Sequence, residues 1–130
     1  MRPLTRIRIL NVRLGIFVLA AYWLLIFAGT HLPSPPDVAA QLSDKSKHFI
    51  AYLGLTWLLC YVTQSSHAAR RFTTIAVVAS AYAVLDELTQ GFVPGRQPDV
   101  WDLLADLAGI LAGLSVYLFA RIFSRRFLAT

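Results

Sequence analysis

Long apolar stretches alternate with short polar ones along the chain. An uncharged run of 23 residues follows Arg13, and another of 22 follows Lys47. A helix needs roughly 20 largely apolar residues to cross the hydrocarbon core of a membrane. Two further runs of 14 residues follow Arg71 and Asp106, and each reaches spanning length once a polar helix end is included. The pattern therefore predicts four transmembrane helices, at about 14–31, 47–65, 72–90 and 100–120.

Composition supports the same class. Of the 130 residues, 57% are hydrophobic and 15% are charged, whereas soluble domains carry about a quarter charged residues. The length favours a single domain, residues 1–130, and an all-α fold. Cys60 is the only cysteine, which excludes a disulfide within the chain and favours a small buried apolar residue.

Basic residues predict the orientation of the bundle. Nine of the twelve precede the first predicted helix, lie between the second and third, or follow the fourth. Such an excess marks the cytoplasmic side, so both termini are predicted to be cytoplasmic (N-in/C-in). The other side receives the remaining three basic residues and all seven acidic ones. Contact with anionic lipid accounts for the net charge of +5, and no nucleic-acid partner is needed.

Polar residues in the fourth predicted helix follow one helical face. Asp102, Asp106, Gly109 and Gly113 are separated by four, three and four residues. The two glycines form a small-xxx-small step, which lets a neighbouring helix approach closely. They are predicted to be packing residues, and the two aspartates extend the same face toward the outer surface.

Two other predicted helix ends carry matching polar positions. Asp44, His48 and Tyr52 lie four residues apart at the start of the second helix, and polar residues also close the third helix. Ionisable groups at such a depth usually face the interior of a bundle or a wet cavity. We therefore predict an outward-facing polar cleft. Its candidate ligand-binding residues are Asp44, Lys45, His48, Tyr52, Asp86, Glu87, Gln90, Arg96, Asp102 and Asp106.

Simpler interpretations exist for several of these residues. Arg96, on the turn between the third and fourth helices, could serve only to join these two helices by a salt bridge. The whole role of Asp99 could be to complement the dipole of the fourth helix. His48 could be an interfacial histidine with a single hydrogen bond. His31 and His67 have no polar partners at helical spacing, so the sequence predicts no role for them.

Three segments resemble the VanZ-like family of small membrane proteins. They are "DKSKHFIAYLGL", "DELTQGFVPGR" and "DLLADLAGILAG", within residues 44–113. Two positions depart from the family pattern: Asp99 stands where a serine-like residue is common, and Asp106 where asparagine is common. Both add negative charge near Asp102 and favour a cation there. The positions that match are Asp44, Lys45, His48, Phe49, Tyr52, Glu87, Gln90, Phe92, Pro94, Gly95, Arg96, Asp102, Gly109 and Gly113.

The resemblance implies a multi-pass protein of the bacterial cytoplasmic (inner) membrane. The family is named for a protein associated with resistance to the glycopeptide antibiotic teicoplanin, which acts outside that membrane. It therefore implies a cell-envelope role tied to teicoplanin susceptibility. The expected partners are the lipid bilayer and a lipid-linked envelope precursor, a cell-wall precursor or a glycopeptide. An oligomer is compatible with this picture.

The sequence leaves several functions open. One is a non-catalytic binder of an amphiphile at the outer face. Another is a membrane enzyme that modifies a lipid-linked envelope substrate, in which Asp86, Glu87 and Asp102 bind a divalent cation or supply a base. No metal ligand and no catalytic residue is assigned beyond these candidates. A small transporter and a purely structural membrane protein are the remaining alternatives.

Overall fold

Four long helices make up most of the protein in a computed structural model, which describes residues 8–9, 12–33 and 42–127. The helices are α1 (Leu14–His31), α2 (Asp44–Val62), α3 (Ala68–Gln90) and α4 (Val100–Phe127). The predicted all-α class is thus confirmed. Two short strands, β1 (Arg8–Ile9) and β2 (Val12–Arg13), pair antiparallel before α1, a detail that the hydropathy pattern did not predict.

Three of the described helices are long and apolar enough to cross a membrane. They are α1, α3 and residues 100–124 of α4. Most of their surface faces outward, as expected where lipid rather than protein covers an apolar helix. In α2, three charged residues in the first turn shorten the apolar stretch, and its crossing remains a prediction. Arg2 and Arg6, which contribute to the predicted orientation, lie outside the described residues.

The start of α2 is set by a polar cap. The Ser43 hydroxyl accepts a hydrogen bond from the backbone N–H of Ser46 at 3.2 Å, which satisfies one of the unpaired donors of the first turn. The helix consequently begins at Asp44, three residues before the predicted 47, because hydropathy marks the apolar stretch and the cap marks the helix. Asp44, Lys45 and His48 are all brought onto the helix.

Helices α2 and α4 run in the same direction and pack closely. A Cβ added at Gly113 would lie 2.6 Å from the carbonyl oxygen of Leu53, and one at Gly109 would collide with the carbonyl oxygen of Phe49. Only glycine permits such an approach of two backbones. The predicted packing role of both glycines therefore agrees with their position. The core beneath them contains the buried residues Tyr52, Leu55 and Ile110.

A tight turn joins α3 to α4. The N–H of Arg96 donates to the carbonyl oxygen of Val93 at 3.1 Å, and Gly95 has a φ of 83°. A positive φ at the third residue is the signature of a type II turn, and glycine adopts it without steric cost. Pro94 occupies the second position, where its fixed φ fits. The short turn keeps the end of α3 beside the start of α4.

The opposite end of the bundle is held by one basic side chain. The guanidinium of Arg71 donates to the carbonyl oxygen of Cys60, to Thr63 Oγ1 at 3.3 Å and to the Tyr117 hydroxyl at 3.2 Å. It also lies over the ring of Phe72, 5.1 Å from the centroid. Arg71 thus links α2, α3 and α4 at the end where the basic residues collect.

Candidate functional site

The four helix termini at one end of the bundle converge on a single polar region. From α1, the Thr30 hydroxyl donates to Asp86 on α3 at 2.9 Å. From α2, His48 Nδ1–H donates to Asp106 Oδ1 on α4 at 2.9 Å. The alternation of helix direction brings the ends of α1 and α3 together with the starts of α2 and α4. The arrangement agrees with the predicted convergence of polar helix ends.

Six ionisable or amide side chains form the centre of this region, which we call the buried polar cluster. Each is at most 7% exposed, and Asp106 is completely buried. Four carboxylates accompany one imidazole and one amide, so the cluster is strongly acidic. Buried charges of this kind are normally paired or bind an ion. Its members are His48, Asp86, Glu87, Gln90, Asp102 and Asp106.

Hydrogen bonds satisfy the α3 side of the cluster. Gln90 Nε2 donates to Asp86 Oδ2 at 3.2 Å and to Glu87 Oε1 at 3.3 Å. The backbone N–H of Asp99 donates to Glu87 Oε2 at 2.9 Å. Both carboxylates are therefore oriented by neighbours on their own helix and on adjoining segments, and Glu87 Oε1 points toward His48, 4.0 Å from Nδ1.

An ion-paired mouth lies above the cluster. Lys45 Nζ is 3.0 Å from Asp99 Oδ2 and 3.1 Å from Asp102 Oδ1, and the side chains of Lys45 and Asp99 are 50% and 39% exposed. Hydrogen bonding to Asp99, and then to Asp102, raises the pKa of Lys45. The backbone N–H of Trp101, followed by Lys45, lowers the pKa of Asp99. The mouth is thus charged, water-exposed and continuous with the buried carboxylate of Asp102.

Several buried polar atoms have no hydrogen-bond partner within the described ranges. They are the hydroxyls of Tyr52, Thr56 and Tyr82, together with Asp106 Oδ2. Tyr52 lies one turn below His48, and its ring stacks on that of Tyr82, with centroids 5.9 Å apart. An unpaired buried polar atom costs about 1–3 kcal/mol. A water, an ion or a ligand group that reached these atoms would therefore remove this cost.

Two groups of side chains have the spacing of metal ligands. One contains His48, Glu87 and Asp106, all buried; the other contains Asp44, His48 and Asp102. In each group the ligand atoms lie within 4.8 Å of one another. The three carboxylates nominated from the sequence, Asp86, Glu87 and Asp102, do not form one such group in the described part of the chain. His48 belongs to both groups, but the sequence did not predict it as a metal ligand.

Arg96 and Asp44 take positions that differ from the rest of the predicted set. Arg96 Nη2 donates to the carbonyl oxygen of Gly29 at 2.8 Å, so its guanidinium contacts the end of α1 and not the carboxylates of α3 and α4. Asp44 is exposed on the first turn of α2. The remaining candidates lie in the cluster, beneath it at Tyr52, or at its mouth.

His31, for which the sequence predicts no role, has polar partners on α3. His31 Nε2 lies 2.8 Å from Thr89 Oγ1, and its Nδ1 is 3.7 Å from Asp86 Oδ1. Helical spacing cannot reveal these contacts, because they join the ends of α1 and α3. Asp99 lies just before α4, at the position where an aspartate caps a helix. Its Oδ1 accepts from Trp101 N–H at 2.8 Å.

Apolar spans with a buried polar cluster at one end define a multi-pass membrane protein. A profile of the family described as VanZ/LLP1 matches residues 14–123, and the chain belongs to that family. It is similar to a Schizosaccharomyces pombe protein, uncharacterized protein C11E3.10, with 28% identity over 92 residues. That match covers 71% of this chain and 57% of the yeast protein. No solved structure matches the chain.

Proposed function

We propose that the protein binds the polar head of an amphiphile at the outer face of the cytoplasmic membrane of a bacterium. The observation that carries this proposal is the continuous polar path from the exposed Lys45 to the fully buried Asp106. A purely structural set of helix contacts does not require an exposed mouth. Buried ion pairs also contribute little net stability, so a binding role accounts better for the carboxylates.

The surroundings of the mouth favour an amphiphile over a soluble ligand. Phe92 and Trp101, beside the cluster at the same end of the bundle, are 87% and 66% exposed. Large exposed aromatic side chains at a membrane boundary lie at the level of the lipid head groups. An acyl or prenyl chain would lie along this apolar rim while its head group enters the mouth.

The charge of the site restricts the head group. Carboxylates outnumber the basic side chains, so a bare phosphate would be repelled unless a cation accompanied it. A head group that carries an amine, or a phosphate bound through an ion, fits the charge. Lipid-linked envelope precursors and glycopeptide-type amphiphiles belong to the proposed class, and a change in teicoplanin susceptibility is the phenotype that we propose.

A second candidate function is catalysis on a lipid-linked substrate. The specific observation in its favour is the buried pair of His48 and Asp106, since a carboxylate hydrogen-bonded to one imidazole nitrogen orients a general base. In this alternative His48 removes a proton from water or from a substrate hydroxyl, and Asp106 is a positioning residue.

Native mass spectrometry of the gently extracted protein tests the proposal. We expect a retained lipid on the wild type and its loss from Glu87→Gln, in the cluster, and from Lys45→Ala, at its mouth. The matched control is Arg70→Ala, at the opposite end of the bundle, which keeps the lipid. A bare mass for the wild type, or equal retention in all four proteins, would contradict binding at this cleft. Teicoplanin susceptibility of cells that express the same variants tests the phenotype.

A further inference from the structure

His48, Glu87 and Asp106 come together from three different helices. Their ligand atoms lie within 4.8 Å of one another, and all three side chains are buried. His48 Nδ1 is 2.9 Å from Asp106 Oδ1 and 4.0 Å from Glu87 Oε1. Two carboxylates thus face one imidazole nitrogen inside the bundle.

The partners available to these groups leave a gap at Asp106. Glu87 receives hydrogen bonds from the backbone of Asp99 and from Gln90. Asp106 Oδ1 receives one from His48, whereas Oδ2 is buried and has no partner among the described residues. An isolated buried carboxylate oxygen is costly, and proteins normally pair it or use it to bind a metal. The unpaired oxygen therefore offers a cation a negatively charged ligand atom.

We propose that His48 Nδ1, Glu87 Oε1 and an Asp106 carboxylate oxygen bind one divalent metal ion, of the Zn²⁺ or Mn²⁺ class. The ion takes the place of the Nδ1 proton that His48 otherwise donates to Asp106, and the neutral imidazole then carries its proton on Nε2. The imidazole ligand favours Zn²⁺ over Mg²⁺ and Ca²⁺, which take oxygen ligands, and the two carboxylates also suit Mn²⁺. Three protein ligands leave a coordination position for water or for an oxygen of a bound head group. Binding of the ion follows from the cluster alone, and its contact with a head group rests on the proposed function.

The side chains need little movement to hold an ion. Zinc bonds of about 2.0–2.2 Å place tetrahedral ligand atoms about 3.4 Å apart. The separations of 2.9 and 4.0 Å from His48 Nδ1 bracket that value. Asp99 N–H holds the other oxygen of Glu87 at 2.9 Å, which is the kind of supporting hydrogen bond that orients a metal-binding carboxylate.

The alternative group of Asp44, His48 and Asp102 is less suited to an ion. The ammonium of Lys45 lies 3.1 Å from Asp102 Oδ1 and already neutralises that carboxylate. Asp44 is exposed to solvent, so its charge needs no partner. The two groups make opposite predictions for Asp44 and Asp106, and these predictions separate them.

Metal titration of the full-length protein in detergent tests the site. After chelation, the wild type is titrated with Zn²⁺ and with Mn²⁺, and the bound ion is counted by native mass spectrometry. We expect one ion per chain, and at least about tenfold weaker binding in Asp106→Asn and His48→Gln. Asp44→Asn keeps wild-type affinity. Loss of the ion in Asp44→Asn with retention in Asp106→Asn would overturn the assignment.

X-ray absorption of the zinc-loaded wild type provides a second test that does not depend on folded variants. One imidazole nitrogen with carboxylate oxygens at the ion is the expected coordination. A site without imidazole, or a wild type that binds no ion, would contradict the proposed metal site.

Lipid retention and ion binding separate this proposal from the proposed function. A lipid that survives chelation on an ion-free protein would support the proposed function without the metal. An ion that binds to a protein without any retained lipid would support the metal site and not the proposed function.

Discussion

His48 on α2 and Asp106 on α4 form a buried pair, 2.9 Å apart, across 58 residues of sequence. The pair lies at the same level of the bundle as the polar ends of α1 and α3. Directly below it, the two helices meet backbone to backbone at Gly109. The His48–Asp106 hydrogen bond and the close approach at Gly109 therefore both set the register of α2 against α4. Each contact can be removed by a separate substitution.

Replacing Asp106 by alanine should destabilise the bundle. His48 would lose its partner while remaining buried, and an unsatisfied buried donor costs about 1–3 kcal/mol. Unfolding of the detergent-solubilised protein by denaturant measures the change. Asp44→Ala, on the exposed first turn of α2, should change the free energy of unfolding by less than about 0.5 kcal/mol. Equal stability of the two variants would show that the pair contributes nothing.

A methyl group at Gly109 should separate α2 from α4. The added carbon would meet the Phe49 backbone, which cannot rotate away as a side chain can, so Gly109→Ala should cost about 1–3 kcal/mol. Gly29→Ala is the matched control, because a Cβ there meets nothing within 4 Å. It should be neutral, or stabilising by about 0.5–1 kcal/mol. The same denaturant titration compares the variants, and a neutral Gly109→Ala would contradict close packing.

The architecture was readable from the sequence because its determinants are local and periodic. The uncharged runs predicted the four helices, and the spacing of Gly109 and Gly113 predicted a packing face on the fourth. The dipeptide Pro94-Gly95 is typical of a type II turn, and the positive φ of Gly95 agrees with that turn. The start of α2 was missed since hydropathy does not register the Ser43 cap.

The site was readable only in part, because periodicity reports which residues share a helix face and not which helices meet. It placed Asp102 with Asp106 and Asp44 with His48. It did not reveal that His31 contacts Thr89, or that Arg96 reaches the carbonyl of Gly29. Contacts between chain segments far apart in sequence need the packed bundle.

The mouth of the cleft should respond to pH through Asp99 and Lys45. The lowered pKa of Asp99 means that its contribution to stability is present above pH ~4 and lost as the pH falls through the lowered value. The raised pKa of Lys45 means that its contribution is present below pH ~10 and lost as the pH rises through the raised value. The ion pair therefore persists between these limits.

Carboxyl-carbon NMR titration of aspartate-labelled protein measures the effect at Asp99. In Lys45→Gln the midpoint should rise but stay below that of an ordinary aspartate, because Trp101 N–H still donates to the carboxylate. Arg70→Gln, remote from the mouth, should leave the midpoint unchanged. An unshifted midpoint in Lys45→Gln would mean that the ion pair is absent in solution.

The predicted topology can be checked with reporters. A reporter inserted in the turn of residues 93–96 should lie on the non-cytoplasmic side, and one fused at the C terminus should lie in the cytoplasm. The positive-inside rule is the physical reason, since nine of the twelve basic residues would otherwise cross the membrane. A cytoplasmic signal from the turn would reverse the orientation and place the cleft on the inner face.

Arg71 and Arg70 provide a matched pair at the opposite end of the bundle. Arg71 binds the Cys60 carbonyl and the Tyr117 hydroxyl and covers the Phe72 ring, whereas Arg70 is exposed. Since hydrogen bonds to charged groups contribute about 1.5–3 kcal/mol, Arg71→Met should lower the free energy of unfolding by about that amount, and Arg70→Met should leave it nearly unchanged. Both variants lose one positive charge at the same end of the bundle, so any effect on membrane orientation is the same for both. Equal losses in the two variants would assign the effect to charge, and a loss confined to Arg71→Met would assign it to the contacts that join α2, α3 and α4.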